Sequence, residues 1–203
     1  IVSLLVMEKY KMGEEHLFLF TNAENEQIFK NLGFHKIARS NQKTILMETP
    51  TTAVTQYVKN LESFKVNGKN IGCIVANCNP FTLGHLYLME YAAKKCDVLY
   101  VFVLSEDLSV FPTDIRYRLV KEGTKHIHNI VVLESGLYII SAATFPTYFL
   151  KDKTIGSNIH AEIDVDFFGR HIVPALGITK RFIGTEPMCQ LTSKYNKVLL
   201  KQL

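Results

Sequence analysis

A chain of 203 residues, of which 47% are hydrophobic, is long enough to bury one large core or two smaller ones. Its formal charge of +4 is compatible with phosphate-bearing ligands, but Lys and Arg are spread along the sequence, which argues against nucleic-acid binding. The apolar opening, 1–7, is too short to span a membrane and lacks the features of a signal peptide, so we expect a cytoplasmic protein with no membrane association.

The four cysteines, at positions 73, 78, 96 and 189, match neither the paired spacing of a zinc site nor the dense spacing of a small disulfide scaffold. We therefore expect free, mostly buried thiols. No metal site built from the protein's own side chains is predicted.

The first third of the chain alternates helix-like and strand-like patterns. Apolar residues at helical spacing predict a helix over 1–11, which ends at Gly13. Apolar runs predict strands over 16–20, 34–38 and 44–48, and the last two are expected to form a hairpin.

A second helix is predicted between the first two of these strands. Asn22 can cap a helical segment over 24–32, and Gly33 is well placed as its left-handed C-terminal cap. The residues expected on its apolar face are Ile28, Phe29 and Leu32.

A polar stretch over 49–69 separates this part from the rest of the chain. It contains Pro50, a cluster of threonines and the turn signal Asn67-Gly68, so we place a domain boundary within it. The predicted units are 1–60 and 61–203.

The second unit has the alternation of strands and helices that is typical of a parallel sheet. Continuous apolar runs over 71–76 and 98–104 predict buried strands, and 84–95 predicts the helix between them. The residues expected on the inner face of this helix are Leu88, Tyr91 and Ala92. Further along, the pattern predicts a helix over 114–122, a strand over 130–133, a helix over 159–176 and a strand over 181–183. The predicted fold class is α/β, with a doubly wound, Rossmann-like parallel sheet.

Ligands of such sheets bind beyond the carboxyl ends of the strands. The loops 77–83, 105–111 and 184–189 follow predicted strands and should therefore converge. The first of them leads into a helix, whose free amide groups and positive dipole end favour a phosphate.

The segment from Asn77 to His85 carries the residues for such a site. Thr82 supplies a hydroxyl, Gly84 lets a ligand approach the backbone, and His85 presents an imidazole in the first helical turn. The candidate loop positions beside them are Asn79, Pro80 and Phe81. The alternative is a turn that merely caps the helix, with an exposed His85.

This segment resembles the His-x-Gly-His signature of nucleotidylyl transferases and class I aminoacyl-tRNA synthetases, with Thr82 in place of the first histidine. Several further segments then resemble citrate lyase ligases, in the same order along the chain: 72–85, 102–107, 120–123, 140–149 and 184–187. The resemblance implies a nucleotidyltransferase fold over 61–203.

Membership of that family implies a specific reaction. Such an enzyme uses ATP, which brings Mg²⁺, to form acetyl-adenylate from acetate. It then passes the acetyl group to the phosphopantetheine-derived thiol on the acyl carrier subunit of citrate lyase, releasing AMP and pyrophosphate. The implied partners are therefore acetate and the carrier subunit.

The first third, notably 17–21 and 28–34, resembles the closing half of a GNAT acetyltransferase fold, which this family carries at its amino end. It lacks the Gly-rich loop that binds acetyl-CoA, so acetyl transfer by this region is not expected. The Ser/Thr-rich, Arg-containing signature of nucleotidylyl transferases is also missing before Leu203, and we expect the sequence to be incomplete at both ends.

The resemblance also implies candidate residues outside the motif. The catalytic candidates are Thr82 and His85 of the motif and, outside it, Arg116. The remaining nucleotide-binding or acetate-binding candidates are Arg118, Ser141, Thr144, Gly184, Thr185 and Glu186, with Lys151 and His160 ranked lower. Structural roles compete with these: solvated arginines, a packed aromatic segment over 140–149 and a plain turn at 184–186.

Two other functions fit the same pattern. One is adenylyl transfer to a phosphorylated acceptor, as in phosphopantetheine or nicotinamide mononucleotide adenylyltransferases. The other is a catalytically silent nucleotide-binding module that docks on citrate lyase.

Overall fold

The computed structural model describes residues 1–41, 43–105, 110–139, 153–185 and 190–202. Their strands form two sheets, an antiparallel sheet of three strands followed by a parallel sheet of four. Within these ranges, every helix is too short or too polar to cross a membrane.

The antiparallel part contains the elements predicted from its sequence. In chain order these are α1 (Val2–Lys11), β1 (Leu17–Asn22), a 3₁₀ turn (Ala23–Asn25), α2 (Glu26–Lys30), β2 (His35–Arg39) and β3 (Thr44–Thr49). β3 is central and pairs antiparallel with both other strands, so the predicted hairpin is confirmed. Both predicted caps are also confirmed: Asn22 Oδ1 accepts a hydrogen bond from the Glu24 amide, and Gly33 has a φ of 87°.

One prediction for α2 is wrong. Ile28 is 60% exposed, whereas Phe29 and Leu32 pack against the core around Phe34. The segment opens as a 3₁₀ turn, whose three residues per turn shift the facing pattern expected of a continuous α-helix.

Helix α3 (Ala53–Glu62) lies in the polar stretch for which no helix is predicted. Its apolar side chains follow helical spacing and pack into a core shared by both sheets; they are Val54, Tyr57, Val58 and Leu61. Because α3 runs through position 60, the division into 1–60 and 61–203 cuts a helix, and it stays a prediction.

The parallel part follows as β4 (Ile71–Ala76), α4 (Leu83–Ala93), β5 (Val98–Val103), α5 (Thr113–Thr124), β6 (Ile130–Glu134), α6 (Lys153–Phe167), a π-helical turn (Phe168–Ile172), α7 (Val173–Leu176), β7 (Lys180–Arg181) and α8 (Gln190–Gln202). The strand order is β6-β5-β4-β7, with every pair parallel, so the predicted α/β fold with a doubly wound sheet is confirmed. α8 was not among the predicted elements.

Helices cover both faces of this sheet. α4 and α5 pack on one face, over Ile74, Leu99 and Val101, whereas α3, α6 and α7 pack on the other, around Tyr100 and Phe102. The strand order reverses between β4 and β7, which is the switch point where such sheets leave a crevice for ligands.

The predicted inner face of α4 is partly wrong. Tyr91 is 46% exposed and stacks on Tyr87, at 6.4 Å between ring centres, while Met89 is fully buried beside Ala92. Because α4 is apolar on several sides, its hydrophobic pattern alone does not identify the buried face.

A buried carboxylate ties the two sheets together. Glu48 on β3 is fully buried; its side chain accepts hydrogen bonds from the Val54 amide at 2.9 Å and from the Tyr138 hydroxyl at 2.7 Å. His16 Nε2 lies 2.8 Å from the same carboxylate. Burial and the hydrogen bond to Glu48 raise the pKa of Tyr138, so the Tyr138 hydroxyl remains a donor.

Replacing Glu48 with alanine should lower the free energy of unfolding by about 3–5 kcal/mol, because buried donors would lose their acceptor. Urea denaturation followed by circular dichroism measures the change. The matched control is Glu122→Ala, which removes an exposed ion pair with Lys125 and should cost less than about 0.5 kcal/mol. Equal effects of the two substitutions would contradict this role of Glu48.

Candidate functional site

The candidate site lies at the carboxyl end of β4, beside the switch point of the parallel sheet. β4 ends at Ala76, the loop 77–82 follows, and α4 begins at Leu83. The first amides of α4 therefore point out of the helix at the edge where ligands of this fold class bind.

Thr82 and His85 form a reciprocal cap at the start of α4. The Thr82 amide donates to His85 Nδ1 at 3.1 Å, and Thr82 Oγ1 accepts a longer bond of 3.5 Å from the His85 amide. Thr82 Oγ1 also lies 2.8 Å from Nδ1. This is a capping box in which histidine takes the usual place of glutamate or glutamine, and Thr82 is the N-cap residue.

The cap also determines which ring nitrogen of His85 can donate. Because Nδ1 accepts the Thr82 amide, the proton of the neutral ring is on Nε2. The ring itself is held near that of Phe81, with 6.1 Å between centres and 19° between planes. His85 is thus oriented as a hydrogen-bond donor at the positive end of a helix.

Two glycines beside the site differ in how closely other side chains pack against them. A β-carbon at Gly84 would have Thr82 Oγ1 as its nearest described neighbour, at 3.7 Å, which is ordinary van der Waals contact. A β-carbon at Gly123 on α5 would lie 2.3 Å from the Phe81 ring. Gly123 is therefore needed for packing the loop, whereas the protein's own packing does not require a glycine at position 84.

Alanine at position 84 should leave stability unchanged or raise it by up to about 1 kcal/mol, because alanine is the better helix former. If ATP binds on the first amides of α4, as the motif predicts, the added methyl group would occupy ligand space and weaken that binding at least about tenfold. Thermal unfolding and calorimetric titration with ATP give the two values.

The matched variant is Gly123→Ala, which should instead lower the melting temperature because the methyl group displaces Phe81. If Gly84→Ala bound ATP as the wild type does, the helix amides would not be the phosphate site.

Arg116 on α5 connects the loops that follow β4 and β5. It is fully buried, and its Nη1 donates to Asn77 O and Oδ1 at 2.8 and 2.7 Å and to Leu104 O at 2.7 Å. Nε donates to Phe111 O and Nη2 to Thr113 Oγ1, both at 2.9 Å. One guanidinium thus connects the ends of β4 and β5 to the start of α5.

The loop between these contacts has a constrained backbone. Cys78 is buried with a φ of 52°, a conformation that is uncommon for residues other than glycine. Asn79 Oδ1 accepts the Phe111 amide at 3.1 Å, which confirms that the first two predicted loops meet. Burial raises the pKa of the Cys78 thiol to about 12, so this thiol stays protonated near neutral pH.

Comparisons with known proteins agree with this architecture. A family model described as the citrate lyase ligase C-terminal domain matches residues 71–203. The chain is 42% identical over 193 residues to a citrate (pro-3S)-lyase ligase of Escherichia coli K12, covering 95% of this chain and 55% of that relative. The chain belongs to the citrate lyase ligase family. It spans about half the length of the curated citrate (pro-3S)-lyase ligases that it matches.

Weaker similarities extend to two further proteins. A phosphopantetheine adenylyltransferase of Streptococcus gordonii is 29% identical over 111 residues, which cover 52% of this chain and 68% of that protein. The crystal structure of NadR in complex with NAD and AMP-PNP aligns with a TM-score of 0.42 and 19% identity, over 68% of this chain and 36% of that one.

Other candidates in this citrate lyase ligase family member have varied surroundings. Pro80, Thr185 and Arg118 are exposed, and Gly184 is half-buried with its carbonyl accepting Asn196 Nδ2 at 2.9 Å. His160 is buried and stacks on Tyr195. The candidates at positions 141, 144, 151 and 186 lie outside the described residues. Their roles stay predictions.

Two residues of the family motif region were missed as candidates. Asn77 provides two acceptors for Arg116, and Gly123 makes room for Phe81. The signal for Asn77 was weak, since an asparagine after a strand is common in turns. A glycine inside a helix, as at position 123, was the stronger signal because it indicates close packing.

Proposed function

We propose that this chain belongs to an ATP-dependent acid–thiol ligase that activates acetate as acetyl-adenylate. The acetyl group then passes to the phosphopantetheine-derived thiol of the citrate lyase acyl carrier subunit. The observation that carries this proposal is the capping box in which the Thr82 amide donates to His85 Nδ1 at the start of α4, beside the switch point. Family membership supports the substrates.

In the first step, an acetate oxygen attacks the α-phosphorus of ATP. A new phosphorus–oxygen bond forms, the bond to the bridging oxygen breaks, and pyrophosphate leaves with its electron pair. No covalent protein nucleophile is needed; alignment and neutralisation of growing negative charge supply the rate enhancement.

His85 and the first amides of α4 are placed for that task. Nε2–H would donate to a phosphoryl oxygen, and the amides of Gly84 and His85 with the helix dipole would stabilise the charge that builds there. Thr82 fixes the ring and its tautomer. Mg²⁺ would arrive on the triphosphate and shield its negative charge.

The second step transfers the acetyl group. The carrier thiol gives up its proton to solvent and attacks the acyl carbon, a sulfur–carbon bond forms, and the carbon–oxygen bond breaks as AMP leaves with its electron pair. Arg116 is proposed as a positioning residue in both steps, because its Nη1 donates to both oxygens of Asn77 at the start of the loop 77–82. Asn79, Phe81, Gly184 and Thr185 are proposed to line the nucleotide, and Arg118 to approach a phosphate from solvent.

Exchange of labelled pyrophosphate into ATP tests this function. Acetate should support exchange, since the first step is reversible, whereas ATP alone should not. Exchange that does not respond to acetate would overturn the proposal.

A second candidate is adenylyl transfer to a phosphorylated acceptor, which the similarity to a phosphopantetheine adenylyltransferase favours. In that case 4′-phosphopantetheine, rather than acetate, would support the exchange. The same assay, run with each acceptor in turn, separates the two functions.

A further inference from the structure

A buried polar group lies on the other face of the parallel sheet. Arg181 on β7 pairs with Cys73 on β4, and its guanidinium carbon lies 4.4 Å from the centre of the Phe168 ring, in the core that contains α6. The next residue, Phe182, packs with the opposite face, where α4 lies. Arg181 and the start of α4 therefore flank β4 from opposite sides.

One nitrogen of the Arg181 guanidinium takes part in a chain of two hydrogen bonds, called the relay below. Arg181 Nη2 donates to the Tyr195 hydroxyl at 2.8 Å, and Tyr195 donates in turn to the buried carboxylate of Asp164. Burial and the nearby Asp164 raise the pKa of Tyr195, so the hydroxyl stays protonated and keeps both bonds. The relay fixes the orientation of the guanidinium and counters its charge across one hydroxyl group.

The other two nitrogens of the guanidinium have no acceptor among the residues that the structure describes. Arg181 Nε and Nη1 are shielded from solvent, although the residue as a whole keeps some exposure, and neither has a hydrogen-bond partner among the described residues. Arginine stays charged at any physiological pH, and buried cationic donors are costly unless an acceptor meets them. An anionic ligand would supply that acceptor.

The position of this group relates it to the candidate site. β7 borders β4 at the switch point, and the loop 184–185 follows it at the edge where ligands bind. α8 contributes Tyr195 to the relay and, through Asn196 Nδ2, a hydrogen bond to Gly184 O. The same helix therefore holds both the guanidinium and this loop.

We infer that Arg181 binds an oxyanion of a substrate other than ATP, using Nε and Nη1. The inference rests on the proposed function, and it places ATP on the α4 side and the second substrate on the α6 side. The oxyanion is a carboxylate if it belongs to the acid, or a phosphate if it belongs to the pantetheine group. Arg181 is a binding residue in this arrangement, and Tyr195 and Asp164 are positioning residues.

Steady-state exchange and thioester formation with Arg181→Met and Arg181→Lys test this inference. For a carboxylate, the KM for acetate should rise at least about tenfold in both variants, while the KM for ATP stays within about twofold. For a phosphate, the same rise should appear instead in the KM for 4′-phosphopantetheine as the thiol. If both substrates keep their wild-type KM values, the inference is overturned.

Controls separate binding from folding. Lys180→Met removes the adjacent exposed cation of the same strand, which donates to Asn70 Oδ1, and should leave all KM values unchanged. Tyr195→Phe keeps the ring but frees Nη2, and should raise the affected KM only a few-fold. Circular dichroism shows whether Arg181→Met folds; if it does not, the lysine variant carries the test.

A binding measurement distinguishes failure of this inference from failure of the proposed function. Line broadening of ¹³C-acetate and of the ³¹P signal of 4′-phosphopantetheine is recorded with the wild type, Arg181→Lys and Lys180→Met. Broadening of either probe that is lost only in Arg181→Lys supports the anion site even if no exchange occurs. Equal broadening in all three proteins, or none in the wild type, overturns it.

Discussion

Replacing His85 with alanine should lower acetate-dependent pyrophosphate exchange at least about a hundredfold, because one donor to the phosphoryl transition state is lost. The fold should persist, since the Thr82 hydroxyl would still accept a hydrogen bond from the backbone amide at position 85. Exchange rates at saturating ATP and acetate, with the melting temperature measured in parallel, give the comparison.

A matched substitution is His126→Ala. That histidine is exposed and pairs with Glu90 on the surface, so its loss should leave exchange unchanged. Wild-type turnover in His85→Ala would remove His85 from the mechanism, whatever its effect on stability.

Replacing Arg116 with methionine should lower the free energy of unfolding by about 3–5 kcal/mol, because several buried acceptors lose their donor at about 1 kcal/mol or more each. Exchange should fall even under conditions where the variant remains folded, since Asn77 and the loop after it would no longer be held. Urea denaturation and exchange assays at low temperature measure both effects.

Arg116→Lys should not restore the wild-type values, because one ammonium cannot reach acceptors on three segments. Arg118→Met, two residues away but exposed, is the stability control and should change the free energy of unfolding by less than about 0.5 kcal/mol. A stable Arg116→Met variant would contradict the structural role assigned to this guanidinium.

Local sequence patterns predict much of the fold because several elements are determined by their own residues. The continuous apolar runs of β4 and β5 indicate strands buried on both faces, and Asn22 and Gly33 mark the ends of their helix. Facing errors arise where the apolar pattern is ambiguous: Tyr91 is on a helix that is apolar on several sides, and Ile28 follows a 3₁₀ turn.

Helix α3 shows a different limit of prediction from local sequence. Its apolar residues follow helical spacing, yet polar neighbours and Pro50 make the stretch look like a linker. What decides its structure is the shared core of two sheets, which local propensity does not contain. Glu48 is a similar case. A carboxylate on a strand is predicted to be exposed when its hydrogen-bond partners, which lie in other segments, are not known.

The candidate site divides in the same way. The roles proposed for Thr82, Gly84 and His85 follow from a strand–loop–helix pattern, and the structure adds the hydrogen bond that assigns the tautomer of His85. The surroundings of Arg116 and Arg181 depend on residues far away in the chain. No spacing rule indicates that one arginine on a helix is buried against the loops that follow β4 and β5, or that another on a short strand has donors without a partner among the described residues.

A crystal structure with a nonhydrolysable ATP analogue and Mg²⁺ tests the central claim most directly. The triphosphate is predicted to lie against the first amides of α4, with His85 Nε2 within hydrogen-bond distance of a phosphoryl oxygen and the adenosine near 184–185. A nucleotide bound away from the start of α4, or bound there with His85 turned from the phosphates, would contradict the account.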